Sequence, residues 1–233
     1  NVYNTAVGYR AGYVVTTGVE NTIIGGLAGD ALTSGFENVV VGKSALTTDT
    51  LGRGSTALGY ATLFNQNFTT ATTTQNTALG YYAGVSITTG VENTLIGSLA
   101  GDALTDTDYN VAIGTYALTA DTLGARNVAI GRSALATQNF TTATDSYNVA
   151  VGYHAGAAVT VGFSNTLIGG LAGEDLTEGN MNTAVGRNAL ASDTKGDRNV
   201  AIGRFALSTQ NFTTSTDSYN VGVGMNAGSS ITT

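Results

Sequence analysis

A short apolar segment, bounded by asparagine on one side and glycine on the other, recurs thirteen times along the chain. Successive copies are spaced by 17, 17, 17 and 21 residues, and this order repeats. The pattern predicts one repetitive segment, residues 1–233, with super-repeats 4–75, 76–147 and 148–219 and a partial repeat 220–233. The copies begin at Asn4, Asn21, Asn38, Ser55, Asn76, Asn93, Asn110, Asn127, Asn148, Asn165, Asn182, Asn199 and Asn220.

Each copy opens a coil whose positions are counted here from its first residue. Position 2 is Thr or Val, position 4 is always Val, Ile or Leu, and position 5 is always Gly. Such a run is typical of a short strand. The Gly at position 5, and a second Gly at position 15 in eight of the nine complete 17-residue coils, predict corners with positive φ or close backbone approach. We therefore predict an all-β fold, a parallel β-solenoid whose flattened coils carry two short strands each.

Asparagine occupies position 1 of twelve coils, and Ser55 takes its place in the remaining one. An amide at the same place in every coil predicts a ladder in which each side chain binds the next. The predicted structural ladder consists of Asn4, Asn21, Asn38, Asn76, Asn93, Asn110, Asn127, Asn148, Asn165, Asn182, Asn199 and Asn220.

Alternation along a strand places positions 2 and 4 on one face and position 3 on the other. We expect the large aliphatic residue at position 4 to lie in the core. Position 3 is never polar either, so the strand reads as one that is covered on both faces. A 17-residue coil is too thin to wrap around its own outer side, and we expect a second copy of the chain to cover it. The alternative is a single-chain solenoid with an exposed apolar stripe.

Composition narrows the class of protein. Charged residues make up 11% and hydrophobic residues 42%, which argues against a disordered tail. The net charge of −7, with scattered basic residues, argues against nucleic acid as a partner. No apolar run approaches the roughly 18 residues of a membrane span, so we expect no membrane insertion in this segment. The chain starts in mid-pattern at Asn1, without a signal peptide, which favours a piece of a longer protein.

Catalytic constellations are scarce in this sequence. The single histidine, His154, lies at a variable position and is expected to be a solvated surface residue. Two sets of aspartates recur with the super-repeat, and we interpret them as turn caps at solvated corners; carboxylate pairs for sugar hydrolysis and calcium between coils are the alternatives. We expect no cofactor and no metal. The two sets are Asp30, Asp102 and Asp175, and Asp49, Asp121 and Asp193.

The 21-residue coils are the strongest candidates for ligand binding. Their extra residues fall in 64–75, 136–147 and 208–219, each of which contains Gln-Asn-Phe-Thr-Thr. We expect a protruding loop whose aromatic ring either folds back to seal the wider coil or the seam between chains, which we favour, or contacts a sugar together with the neighbouring amides and hydroxyls. The Asn-Phe-Thr triplet also matches a glycosylation acceptor. The candidate ligand-contact residues are Asn67, Phe68, Asn139, Phe140, Asn211 and Phe212.

The motif Asn-Val-Ala-Ile-Gly-Arg-x-Ala-Leu, present at Asn127 and Asn199, resembles the head repeats of trimeric autotransporter (YadA-like) adhesins. The chain is even more similar to the Asn-Thr-Ala-x-Gly-x-x-Ala-Leu repeats of phage tail-fibre and bacterial surface proteins. This resemblance spans the whole chain and implies a left-handed parallel β-roll in a homotrimer. The regular 21-residue coil departs from the autotransporter pattern, whose coils are usually shorter.

Together these observations predict a structural fibre or stalk segment of a phage tail fibre or cell-surface adhesin, and not an enzyme. It would be extracellular, on a virion tail fibre or a bacterial cell surface, and would present repeated loops for host-surface attachment. Its expected partners are further copies of itself and a cell-surface glycan or receptor. The alternatives are a polysaccharide-degrading tailspike domain and a self-assembling extracellular filament.

Overall fold

The computed structural model describes residues 3–233, which form a parallel β-solenoid of thirteen coils. In this part of the chain there is no helix, and hence none that is long and apolar enough to cross a membrane. Every coil contributes one strand at positions 2 to 4. These strands are β1 (Thr5–Val7), β2 (Thr22–Ile24), β3 (Val39–Val41), β5 (Thr56–Leu58), β7 (Thr77–Leu79), β8 (Thr94–Ile96), β9 (Val111–Ile113), β11 (Val128–Ile130), β13 (Val149–Val151), β14 (Thr166–Ile168), β15 (Thr183–Val185), β17 (Val200–Ile202) and β19 (Val221–Val223).

The chain divides into two compact units, one that ends at Asn110 and one that begins at Val111. In the first unit, β1, β2, β3, β5, β7 and β8 pair in parallel in that order. In the second unit, the order is β9, β11, β13, β14, β15, β17 and β19. Register holds even across a 21-residue coil, since Thr56 pairs with Thr77. The four extra residues are therefore accommodated away from the strands.

A second strand exists only in the third and fourth coils of each super-repeat. The prediction of two strands in every coil is thus correct for these coils and wrong for the others. Elsewhere the opposite side is joined by backbone hydrogen bonds without a strand pair, as where the N–H groups of Thr16 and Thr17 donate to the Thr33 carbonyl at 2.9 and 3.3 Å. The extra strands form the parallel pairs β4 (Gly52–Arg53) with β6 (Thr72–Thr73), β10 (Gly124–Ala125) with β12 (Thr144–Asp145), and β16 (Gly196–Asp197) with β18 (Thr216–Asp217).

The core lies on the other face of the strand from the one that the sequence predicts. Position 3 points inward: Ile23 is 1% exposed and Ala57 is fully buried. The aliphatic residue at position 4 points outward, and Ile24 and Leu58 are 38% and 39% exposed. The thin coil explains the inversion, because its interior has room for Ala at position 3 of most coils, whereas the larger Val, Ile and Leu fit on the outer face.

Two positions exchange volume inside the coils. Around the bulky position 3 of the second coil in a super-repeat, position 9 is Gly both in that coil and in the coil before it: a Cβ on Gly101 or on Gly84 would lie 2.8 Å or 2.6 Å from methyl groups of Leu95. In the fourth coil of a super-repeat, where position 3 is Ala129, position 9 is the buried Leu135. Because interiors are close-packed, the two glycines make room for the large side chain that lies between them.

The two predicted glycine corners are both tight, for different reasons. Gly25, at position 5, has φ +136°, and a Cβ there would lie 2.6 Å from the carbonyl carbon of Gly42 in the next coil. Gly18, at position 15, has φ outside the left-handed region, but a Cβ would lie 2.4 Å from the carbonyl oxygen of Gly35. Both glycines allow adjacent backbones to stack closely, and only position 5 also needs the positive φ.

Candidate functional site in the 21-residue coils

The phenylalanine that follows Gln-Asn in each 21-residue coil turns toward the interior. Phe68 is 6% exposed and Phe140 is 7% exposed, while Phe212 is half-buried. Their backbone is held on the preceding coil, since the Phe68 carbonyl accepts from Leu51 N at 3.0 Å and from Thr50 Oγ1 at 2.8 Å. Of the two roles considered for these rings, the burial of Phe68 and Phe140 agrees with packing within the coil.

The asparagine before each phenylalanine remains on the surface. Asn67, Asn139 and Asn211 are exposed. Each Oδ1 accepts a hydrogen bond from a threonine of the preceding coil, at 3.3, 3.1 and 3.0 Å respectively. The residues that follow phenylalanine form an exposed, hydroxyl-rich apex at 69–71, 141–143 and 213–215. These coils thus offer amides and hydroxyls to solvent, while the rings of Phe68 and Phe140 are buried.

Beneath the first loop lies a buried carboxylate, Asp49, which is fully excluded from solvent. Its Oδ2 accepts from Gln66 Nε2 at 2.6 Å, and its Oδ1 accepts from the backbone N–H groups of Gly52 and Phe68, both at 3.1 Å. The carboxylate therefore connects its own turn to the loop of the next coil. Asp121 and Asp193 make the same contacts with Gln138 and Gln210.

This arrangement corrects the prediction for Asp49, Asp121 and Asp193. They do cap a turn, as expected, but they lie in the interior and not at a solvated corner. The other set differs: Asp30 pairs with Arg10 at 3.4 Å, and Asp175 is exposed. The signal for burial was the glutamine that follows each aspartate by 17 residues, because a buried acid needs a donor one coil away.

A chain of hydrogen bonds ends at Asp49, and every bond in it has the same donor-to-acceptor direction. Asn76 Nδ2 donates to Gln66 Oε1 at 2.9 Å and to the Gly90 carbonyl at 2.7 Å. Since Asn76 must present its nitrogen, Gln66 must present its oxygen to Asn76 and its nitrogen to Asp49. The network thus requires a pure acceptor at its end, which a carboxylate supplies.

Burial sets the protonation behaviour of these acids. Desolvation raises the pKa of the Asp49 and Asp121 carboxyl groups above the ordinary value, although the hydrogen bonds from glutamine and from the backbone oppose the shift. Among the described residues no group of three His, Asp or Glu side chains is placed to hold a metal ion.

The asparagines at position 1 form the ladder of the strand edge. Asn21 N donates to Asn4 Oδ1 at 2.9 Å, and Asn38 N donates in turn to Asn21 Oδ1 at 3.0 Å. Asn21 Nδ2 also donates to the Gly35 carbonyl at 2.9 Å. Each buried amide therefore satisfies its own coil and the next one. At Ser55 the pattern changes, because its Oγ lies 2.6 Å from Thr74 Oγ1 and accepts from Gln66 Nε2.

His154 lies outside these networks. Its ring stacks on Tyr153, with centroids 4.2 Å apart, and its Nδ1 is 3.9 Å from Glu174 Oε1. The side chain is 30% exposed. This surface position agrees with the expectation for the single histidine.

A feature that the sequence analysis missed is a cluster of three tyrosines, Tyr60, Tyr81 and Tyr82, beside the first 21-residue coil. The ring centroids of Tyr60 and Tyr81 lie 5.5 Å apart in a stacked geometry. The signal was present in the sequence as the pair of adjacent tyrosines at 81–82, which has no counterpart in the other super-repeats.

Comparison with protein-family models, with curated proteins and with solved structures finds no match to this chain.

Proposed function

We propose that this chain is a segment of a homotrimeric extracellular fibre, of the kind found in phage tail fibres and cell-surface adhesins. Its role is mechanical, not catalytic. It spans distance and presents the exposed loops of its 21-residue coils for attachment to a host-surface glycan or receptor. Nucleic acid is not among the proposed partners, because the chain carries a net charge of −7.

The observation that carries this proposal is the outward row of aliphatic side chains at position 4. In the first unit, Leu58 and Leu79 are adjacent in register and are 39% and 43% exposed. In the second unit, Ile168 and Ile202 are 38% and 39% exposed. A row that repeats in every coil differs from scattered surface leucines, and contiguous apolar surface of this kind marks an interaction site. Burial against identical rows of two further copies would remove it from water.

The regularity of the row supports a partner with the same period. In the first unit, residues at position 4 lie on successive strands in register, as Val41 pairs with Leu58 and Leu79 with Ile96. Parallel strands repeat about every 4.8 Å, so a partner that matches the row along its length must repeat at that spacing. A second copy of this chain meets that requirement by construction.

The buried acids support the structural role over polysaccharide hydrolysis. Glycoside hydrolysis needs two carboxyl groups that reach the scissile bond. Asp49, Asp121 and Asp193 are fully buried, and their oxygens accept hydrogen bonds from glutamine and from the backbone. They are placed to hold coils together.

Sedimentation equilibrium tests the proposal. We expect the wild-type chain to sediment with the mass of three copies. Leu79→Lys places a charge in the outward row and should shift the mass toward that of one copy, because a buried unpaired charge is costly. Thr70→Lys, at the exposed apex of the loop, is the matched control and should remain trimeric. A wild-type chain with the mass of one copy would contradict the proposal.

A further inference from the structure

A pocket of about 370 Å³ lies beside the first 21-residue coil, within the first unit. This volume falls near the lower end of the range for small-molecule sites. The third, fourth and fifth coils contribute its walls. The lining residues are Ser44, Tyr60, Ala61, Phe64, Asn65, Tyr82 and Val85.

Aromatic rings form a rigid part of the wall. The rings of Tyr60 and Tyr82 are nearly perpendicular, at 84°, with centroids 5.3 Å apart. Tyr81 supports both: it stacks on Tyr60 and meets Tyr82 edge-on at 4.4 Å. Each of the three rings contacts the other two, so together they form one aromatic cluster at the pocket wall. Phe64 adds a third aromatic ring to the lining.

The polar groups of the lining are neutral. They are the amide of Asn65 and the hydroxyls of Ser44, Tyr60 and Tyr82, and none of the seven lining residues carries a charge. Interaction with Tyr60 raises the pKa of Tyr82, so its hydroxyl stays protonated at neutral pH. Both donors and acceptors are thus offered to a ligand. An ionic ligand would find no counter-charge among these side chains.

The pocket interrupts the repeat. One super-repeat length further along the chain, Arg132 stands in place of Tyr60, Ala136 in place of Phe64 and His154 in place of Tyr82. Stacking of the coils alone would not require these three aromatic rings at one junction between super-repeats and other residues at the next. The difference also shows that the same backbone accepts smaller or charged residues there, since His154 has nearly the same φ as Tyr82, 53° against 56°.

We infer that this pocket binds a neutral saccharide unit. Aromatic faces pack against the C–H face of a sugar ring, while the amide and the hydroxyls bond its equatorial hydroxyl groups. The inference rests on the attachment role proposed above and assigns a class of ligand to it. It places the ligand in the groove formed by Tyr60, Phe64 and Tyr82, and not on the ring of Phe68.

Saturation-transfer NMR tests the inference with methyl glycosides of neutral hexoses and N-acetylhexosamines, and with a sialic acid glycoside as the anionic comparison. We expect saturation of at least one neutral glycoside. The double variant F64A/Y82H, which carries the residues found at positions 136 and 154 one super-repeat further on, should bind it at least about tenfold more weakly, because two of the ring contacts are lost. Equal binding by the variant, preference for the anionic glycoside, or no signal from any glycoside would overturn the inference.

The reverse exchange keeps the test decisive if the double variant unfolds. Y116S/R132Y/A136F/T137N/H154Y installs the aromatic rings, the hydroxyl and the amide of the lining at the next junction between super-repeats. It should raise the number of sites per chain from one to two by isothermal titration. An unchanged stoichiometry would count against the inference. Sedimentation of the same samples separates the two proposals: a trimer without sugar binding refutes only the pocket, and a monomer that binds sugar refutes only the fibre.

Discussion

The two sides of each coil obey different rules. On the strand side, positions 2 to 4 form a strand in every coil, and the register is unchanged where a 21-residue coil intervenes, as between Ala57 and Ala78. On the opposite side, paired strands exist only between the third and fourth coils of a super-repeat, as in β4 with β6. The strand side therefore determines how the coils stack, whereas the length and the residue types of the coil vary on the opposite side.

The physical basis of the difference is the way in which adjacent coils are joined. On the strand side, glycine at position 5 lets one coil contact the next, and the amides at position 1 bond successive coils except at Ser55. On the opposite side, glycine at position 15 is also tight, but the buried Asp49 gathers donors from two coils and ties the longer loop to its neighbour. Position 5 therefore does not accept an added Cβ, whereas the loop on the opposite side accommodates four added residues.

The largest effect is expected from Gly25→Ala on the strand side. The new Cβ would lie 2.6 Å from backbone atoms of Gly42, at a φ of +136° that L side chains avoid. Because neither backbone can shift without breaking the sheet, we expect a loss of about 3 kcal/mol or more in the free energy of unfolding, measured by urea denaturation. The adjacent Gly26 is the matched control, since a Cβ there meets nothing within 4 Å and its φ is ordinary.

Gly26→Ala should change the free energy of unfolding by less than about 0.5 kcal/mol, or raise it slightly by restricting the unfolded chain. Similar losses for both variants would show that coil stacking does not limit position 5. The comparison of the two sides would then lose its physical basis.

The sequence was sufficient for the coil, its period and its strand, because these depend on local rules that every copy repeats. It was insufficient for the direction of the side chains. Ala57 and Leu58 are both apolar, so alternation alone cannot say which faces inward; the limited interior volume decides it. It also failed for Asp49, whose burial depends on contacts between different coils. The tyrosine pocket could not be found from the repeat, because its aromatic residues occupy positions at which the other super-repeats have different residues.

A second, smaller effect on stability is expected when pH changes the protonation of the buried aspartates on the side opposite the strands. Burial raises the pKa of Asp121 above the ordinary value of 3.8, so the folded state binds this proton more readily than the unfolded chain does. The stability that this group contributes is then fully present below its unfolded pKa and is lost as the pH rises through its folded pKa. Asp121→Asn should remove this contribution to the change in unfolding free energy with pH, measured by urea denaturation at a series of pH values from 3 to 7.

Asp106→Asn provides a comparison of opposite sign. Hydrogen bonds from Thr88 and Thr89 lower the pKa of Asp106, so its contribution is present above its unfolded pKa and is lost as the pH falls through its folded pKa. For each variant, the unfolding free energy of the wild-type chain is subtracted at every pH, so that the contributions of the other acidic residues cancel. If Asp121→Asn and Asp106→Asn change the slope in the same direction, the assignment of Asp121 as a desolvated buried acid is wrong.

The smallest effect is expected from lengthening the loop that is already long. Insertion of Gly-Ser-Gly-Ser between Thr142 and Ala143 extends an exposed apex, and the closure entropy of a loop grows only by about 0.6 kcal/mol for each doubling of its length. We expect a loss below about 1 kcal/mol, measured by urea denaturation. The same insertion after Thr177, whose N–H bonds the Thr194 carbonyl at 2.8 Å, interrupts the regular side of a 17-residue coil and should cost more. Equal losses at the two sites would mean that the 21-residue coil has no special tolerance. A small loss at 142 alone would show that this loop can change without loss of the stacking on which the solenoid depends. One scaffold could then carry different contact surfaces on its loops.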